Sequence, residues 1–115
     1  MFEEGSKLKK IGNSAFYRCG SLAKIILPEE IRSIESRAFF NCRSLKNIWL
    51  RDALKKIGVE CFYGSGLEEI VFPASLRVVG ARSFSDCSQL KNVQLNEGLM
   101  KMGANETIND TEYEG

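Results

Sequence analysis

The chain repeats itself, and that limits its possible folds more than any other feature. With Leu8, Ile31, Leu54, Leu76 and Leu99 taken as first residues, successive units are 23, 23, 22 and 23 residues long. Ile11, Ile34, Ile57, Val79 and Met102 then share one column, and Phe16, Phe39, Phe62 and Phe84 share another. Leu22, Leu45, Leu67 and Leu90 align, as do Ile25, Ile48, Ile70 and Val93, and Leu27, Leu50, Phe72 and Leu95. Self-similarity at a period of roughly 20–50 residues is the mark of stacked coils. A lone coil cannot bury its apolar side and gains a core only when neighbours cover it. The expected arrangement is one solenoid over residues 1–103, with units at 8–30, 31–53, 54–75 and 76–98 and partial units at both ends. Phe2-Glu3-Glu4-Gly5 reads as the end of a preceding unit, like Leu95-Asn96-Glu97-Gly98. The polar, acidic stretch 104–115 lacks the Phe and Cys of the repeat and reads as a tail or cap, or as an insertion.

Within a unit, Ile48 and Leu50 alternate with Trp49 in Leu45-Lys46-Asn47-Ile48-Trp49-Leu50, the period of a strand. Pro28 and Pro73 follow this run in two units and end it, since proline has no N–H for a ladder. A second extended piece such as Leu54-Lys55-Lys56-Ile57 opens the next coil. Gly12, Gly58, Gly80 and Gly103 follow it, which predicts a tight corner with a permissive backbone, although Glu35 interrupts the column. Ala38, Phe39 and Cys42 stand at offsets that share a face over one helical turn. The four phenylalanines are expected to stack as an internal ladder.

Composition fits a folded domain. Of 115 residues, 43% are apolar and 27% charged, near the averages for soluble domains. The net charge of +1 gives no global case for an anionic partner, so recognition has to come from local patterning. No run approaches the roughly 18 apolar residues of a membrane span. MFEEGSKLKK lacks the apolar stretch of a secretory signal, so this chain as written is not expected to leave by that route. Cys19, Cys42 and Cys87 share one column, while Cys61 aligns with Ala15, Ala38 and Ser83. Thiols that recur with the repeat read as small core residues kept reduced. Adjacent coils about 5 Å apart would also permit a Cys19–Cys42 bridge, so that alternative stays open. With no histidine and no closely spaced cysteine pair, zinc is not expected.

The pattern L-x-x-I-x-x-x-A-F-x-x-C-x-x-L-x-x-I-x-L-P, nearly complete over residues 8–98, resembles the BspA-like (Treponema pallidum-type) leucine-rich repeat family. The third unit departs by a deletion around Gly64-Ser65-Gly66 and lacks the Cys. The resemblance implies an α/β repeat solenoid: a right-handed, curved stack of coils with a parallel β-sheet and short helical turns. It also implies a surface or secreted protein used in adhesion or protein binding, without catalysis and without a cofactor.

The residues themselves point the same way on chemistry. There is no histidine, no G-x-S-x-G, no phosphate loop and no nucleophile–base pairing. Glu29-Glu30 and Glu68-Glu69 are sequence neighbours and read as solvated surface. Two surface columns are candidates for binding instead. Between the inward positions of the strand run lie Ile26, Trp49, Val71 and Gln94, with Lys46 and Glu69 in the flanking polar columns. Contiguous exposed apolar side chains mark partner sites, and Trp is enriched at hot spots. The plainer alternative is cross-strand stabilisation of the sheet. Lys9, Arg32, Lys55 and Arg77 form a second column, with Lys10, Lys56 and Lys101 beside it. Such a strip suits an anionic polymer, or simply keeps an edge soluble. No aromatic residues interleave with it, so nucleic acid is not expected. The leading function is thus a module binding a protein or glycan. A spacer without a ligand and an anionic-polymer binder are the alternatives, and end-to-end self-association is a further expectation. Asn105-Glu106-Thr107 and Asn109-Asp110-Thr111 are glycosylation sequons, relevant only to secretion from a eukaryotic cell.

Overall fold

The computed structural model describes residue 2, residues 5–96 and the strand backbone of Lys101–Met102, Thr107–Ile108 and Thr111–Glu112. Gly103, the two asparagines of the sequons and most of 104–115 lie outside the described residues. Five two-residue strands form one parallel sheet: β1 (Lys10–Ile11), β2 (Ser33–Ile34), β3 (Lys56–Ile57), β5 (Val78–Val79) and β7 (Lys101–Met102). Ile11, Ile34, Ile57, Val79 and Met102 stand in register across it. Thus each repeat advances the chain by one coil. Between them, β4 (Glu69–Val71) and β6 (Asn92–Gln94) pair in parallel as a second, two-stranded sheet. The short strands β8 (Thr107–Ile108) and β9 (Thr111–Glu112) pair antiparallel.

The repeat columns become the core. Ile31, Ile34, Phe39, Leu45, Leu54, Ile57, Phe62, Leu67 and Leu76 are sealed from solvent. The phenylalanines form a continuous ladder: Phe16 on Phe39 at 5.2 Å, Phe39 on Phe62 and Phe62 on Phe84 at 5.4 Å, with ring planes within 12°. Phe16, in the first coil, is only half-buried.

The helical turn expected at Ala38–Cys42 is not there, and no helix occurs among the described residues. Ala38, Phe39 and Cys42 are all buried as anticipated, but on a different backbone path. Alternate amides serve two partners. Ala38, Phe40 and Cys42 donate to the carbonyls three residues back, whereas Arg37, Phe39 and Asn41 donate to Val59, Cys61 and Tyr63 of the next coil. Left-handed residues at the first and fifth positions produce this alternation: Ser14 and Arg18, Arg37 and Asn41, Glu60 and Gly64, Arg82 and Asp86 all have φ between 55° and 65°. A helix keeps its bonds within one segment; here coil stacking claims every second N–H, and a run of turns replaces it.

Two further expectations need correction. The run Leu45–Leu50 is not a laddered strand, and neither is its equivalent in the first coil; the ladder forms only between β4 and β6. Alternating burial needs only an extended path, so Ile48 and Leu50 point inward without cross-coil pairing. The glycines at the corner are not there for left-handed backbone, since Gly12, Gly58 and Gly80 lack positive φ. At Gly58 and Gly80 the job is close approach, since a Cβ on Gly58 would lie 2.5 Å from the Ser36 nitrogen and one on Gly80 2.5 Å from that of Val59, whereas around Gly12 nothing lies within 4 Å. In the shortened third unit, Ser65 takes the place of the column cysteine, its N–H bonding Phe62 as Cys42 bonds Phe39. The chain then presses Gly66 onto the Arg43 carbonyl, leaving no room for a side chain.

Candidate interaction surface

The extended run alternates, so the residues between inward Ile25 and Leu27, Ile48 and Leu50, and Ile70 and Phe72 face outward. Ile26, Trp49 and Val71 are 60%, 63% and 53% exposed, large values for apolar side chains in one column of adjacent coils. Gln94 continues the column opposite Val71 in the β4–β6 register, and it is exposed as well. Among the flanking candidates, Lys46 forms an ion pair with Glu68 at 3.5 Å, and Glu69 is exposed at the start of β4.

Trp49 has a partner that the sequence reading passed over. The Arg51 guanidinium lies 3.8 Å from the centre of its ring. Arg51 is itself held by the Leu27 carbonyl at 2.8 Å and the Glu29 carboxylate at 3.5 Å. Residues two apart on an extended chain share a face, so the spacing of Trp49 and Arg51 was the available signal. A groove of about 330 Å³ runs between Trp49 and Val71, edged by Asn47, Asp52, Glu69 and Pro73. A wider hollow of about 830 Å³ lies on the Arg51 side, bordered by Phe2, Ile26, Pro28 and Glu30. Arg51 lines the hollow and Trp49 the groove, so the ring with its guanidinium separates the two.

The basic column is stacked in order, since Arg32 donates its N–H to the Lys9 carbonyl, Lys55 to Arg32 and Arg77 to Lys55. Its charge is less uniform than its sequence. Lys9 lies 3.8 Å from Glu30, and the Arg77 guanidinium turns back onto the Ala74 and Leu76 carbonyls. Arg32, Lys55, Lys10 and Lys56 remain exposed.

Other side chains recurring with the repeat are structural. Tyr17, Phe40 and Tyr63 form a second, outer ring ladder at 4.9 Å spacing, foreshadowed by an aromatic residue directly after the core Phe in three units. Glu60 receives Arg37 at 2.8 Å and Arg82 at 3.3 Å, and these guanidiniums, Arg37 foremost, hold its carboxyl below the ordinary value of 4.5. All four cysteines are free thiols. Cys42 donates to the Phe16 carbonyl at 3.1 Å and Cys87 to that of Phe62 at 3.0 Å, which explains a thiol in that column. Burial pushes the Cys42 thiol up to about 11 and raises those of Cys61 and Cys87. These thiols are therefore poor nucleophiles. Among the described residues no three metal-ligating side chains cluster, and no helix is long and apolar enough to cross a membrane.

Comparison with known proteins adds an independent line. The family model described as BspA type leucine-rich repeat region, in six copies, matches residues 9–111. A leucine-rich repeat protein of Bacteroides ovatus, known from a crystal structure, is 36% identical with a TM-score of 0.77, covering 80% of this chain and 24% of that one. The leucine-rich repeat protein of T. pallidum is 29% identical with a TM-score of 0.63, covering 84% of this chain and 56% of that one. The chain therefore spans about a quarter and about half of these two structures. No curated protein is significantly similar to it.

Proposed function

Because the chain belongs to the BspA-type leucine-rich repeat family, whose repeat proteins are generally non-catalytic binding modules, we propose that it is a protein-interaction module working through the Ile26–Trp49–Val71–Gln94 column. One observation supports this most: three large apolar side chains in successive coils are each more than half exposed. Contiguous exposed apolar side chains of this size mark partner sites, and among the described residues no ladder between the coils of Ile26, Trp49 and Val71 gives them a cross-strand role. A spacer needs a solvated face there, and the apolar column argues against that alternative. The anionic-polymer alternative is weaker, because Lys9 and Arg77 of its strip are engaged within the chain. The broader role we infer is adhesion at a cell surface, as a stretch of a longer, right-handed coil.

The test is a selection of binders from a displayed peptide library, followed by affinity measurements against Trp49→Ala and Val71→Ser. The expected result is that most selected peptides lose at least tenfold in affinity for both variants, while circular dichroism shows the fold retained. Selected peptides that bind both variants as tightly as the parent chain would refute the assignment.

A further inference from the structure

Resting on that reading, we propose that the groove between Trp49 and Val71 receives a basic segment of a protein partner, with a lysine or arginine side chain laid on the open face of Trp49 between Asp52 and Glu69. The argument is one of charge complementarity. The groove is edged by two exposed carboxylates, Asp52 and Glu69, and no cationic residue lines it. Among the other described carboxylates, Glu29 pairs with Arg51, Glu30 with Lys7 and Lys9, Glu60 with Arg37 and Arg82, and Glu68 with Lys46, while Glu35 and Asp86, which line neither groove nor hollow, form no ion pair. Asp52 and Glu69 take part in no ion pair among the described residues. Lys46, in the flanking column, is turned to Glu68 instead.

The ring supplies the other half of the site. Arg51 holds one face of Trp49, yet 63% of the residue stays exposed. Both faces of an indole carry the same negative quadrupole, so the remaining face attracts a second cation. An acidic ligand would meet two like charges. A neutral sugar would stack on the ring but leave both carboxylates without a counter-charge. A groove of about 330 Å³ has room for one long side chain and a little of its backbone, at the small end of known binding sites.

Trp49 is the only tryptophan in the chain, so its fluorescence reports on the groove directly. The experiment titrates the chain with tri-lysine amide, tri-glutamate and cellotriose at low salt. The same titrations follow for Asp52→Asn combined with Glu69→Gln, and for Asp86→Asn, which lies away from the groove. Tri-lysine is expected to give a saturable change that weakens roughly tenfold in the double variant and at about 0.5 M salt. Asp86→Asn leaves it unchanged. Equal or stronger binding of cellotriose or tri-glutamate overturns the inference, and so does the lack of a saturable response to tri-lysine. The selected library peptides separate this from the broader reading. Peptides that depend on Trp49 without enrichment in lysine or arginine leave the interaction face standing and remove the basic partner.

Discussion

Alanine at Gly80 and at Gly12 should have opposite effects, although the two glycines occupy one column of the repeat. A Cβ on Gly80 would sit 2.5 Å from the Val59 nitrogen and 2.7 Å from the Gly58 carbonyl carbon. Those are backbone atoms of the preceding coil and cannot swing away. Reaching an ordinary contact of 3.4 Å requires the coils to part locally by about 0.9 Å. Overpacking of this kind costs about 1–3 kcal/mol. The gap also strains the bond from Gly80 N–H to the Ile57 carbonyl, 2.8 Å long, whose net value is about 1 kcal/mol. Together these give a loss of about 2–4 kcal/mol for Gly80→Ala. Around Gly12 nothing lies within 4 Å of the added carbon, and its φ suits any residue. Gly12→Ala should be neutral or stabilising by up to ~1 kcal/mol, through a less disordered unfolded chain. Urea unfolding followed by Trp49 fluorescence measures both. At a mid-range slope of about 2 kcal/mol per M, the Gly80 variant should lose about 1–2 M in midpoint. If Gly12→Ala proves as damaging as Gly80→Ala, the column serves a backbone conformation rather than coil approach, and the reasoning is wrong.

Two other predictions follow from position in the stack. Phe39→Ala removes a sealed ring with a neighbour on each side and should cost about 3–5 kcal/mol, a large share of the roughly 5–15 kcal/mol that a domain holds. Phe16→Ala removes a half-buried ring with one ring neighbour and should cost clearly less; equal midpoints in urea would contradict the ladder. Glu60 titrates lower in the folded chain than its ordinary 4.5 because Arg37 and Arg82 face it. Its stabilisation is complete above that value and lost as pH falls through the lower, folded value. Glu60→Gln should therefore flatten the acid side of the stability–pH curve, and an unchanged curve would show that the triad contributes nothing.

The repeat, the core columns and the phenylalanine ladder were legible because burial fixes residue type and the burial recurs every coil. What burial alone does not encode was misread. Ala38, Phe39 and Cys42 face inward from a chain of turns just as they would from a helix, so the pattern did not reveal which amides bond within the coil. Ile48 and Leu50 alternate with Trp49 whether or not the next coil is close enough to pair. The glycine column was visible, but an absent side chain has two causes, and the distance to Ser36 or Val59 is a fact of packing between units. For the candidate surface, the outward column was readable from period two alone. The stacking of Arg51 on Trp49 and the unpaired state of Asp52 and Glu69 depend on side-chain rotamers, which the order of residues leaves open.

The alternating turns have an electrical consequence. On that side of the solenoid, the N–H groups of Ser14, Phe16 and Arg18 point to the second coil, those of Arg37, Phe39 and Asn41 to the third, and those of Glu60, Phe62 and Gly64 to the fourth. Three columns of peptide dipoles therefore run in one direction and add from coil to coil, as they do along a helix axis. The first coil presents the partial negative end, and the far end of the stack is partially positive. A segment that closes such an array should be acidic at the far end, where its charge meets the partial positive pole.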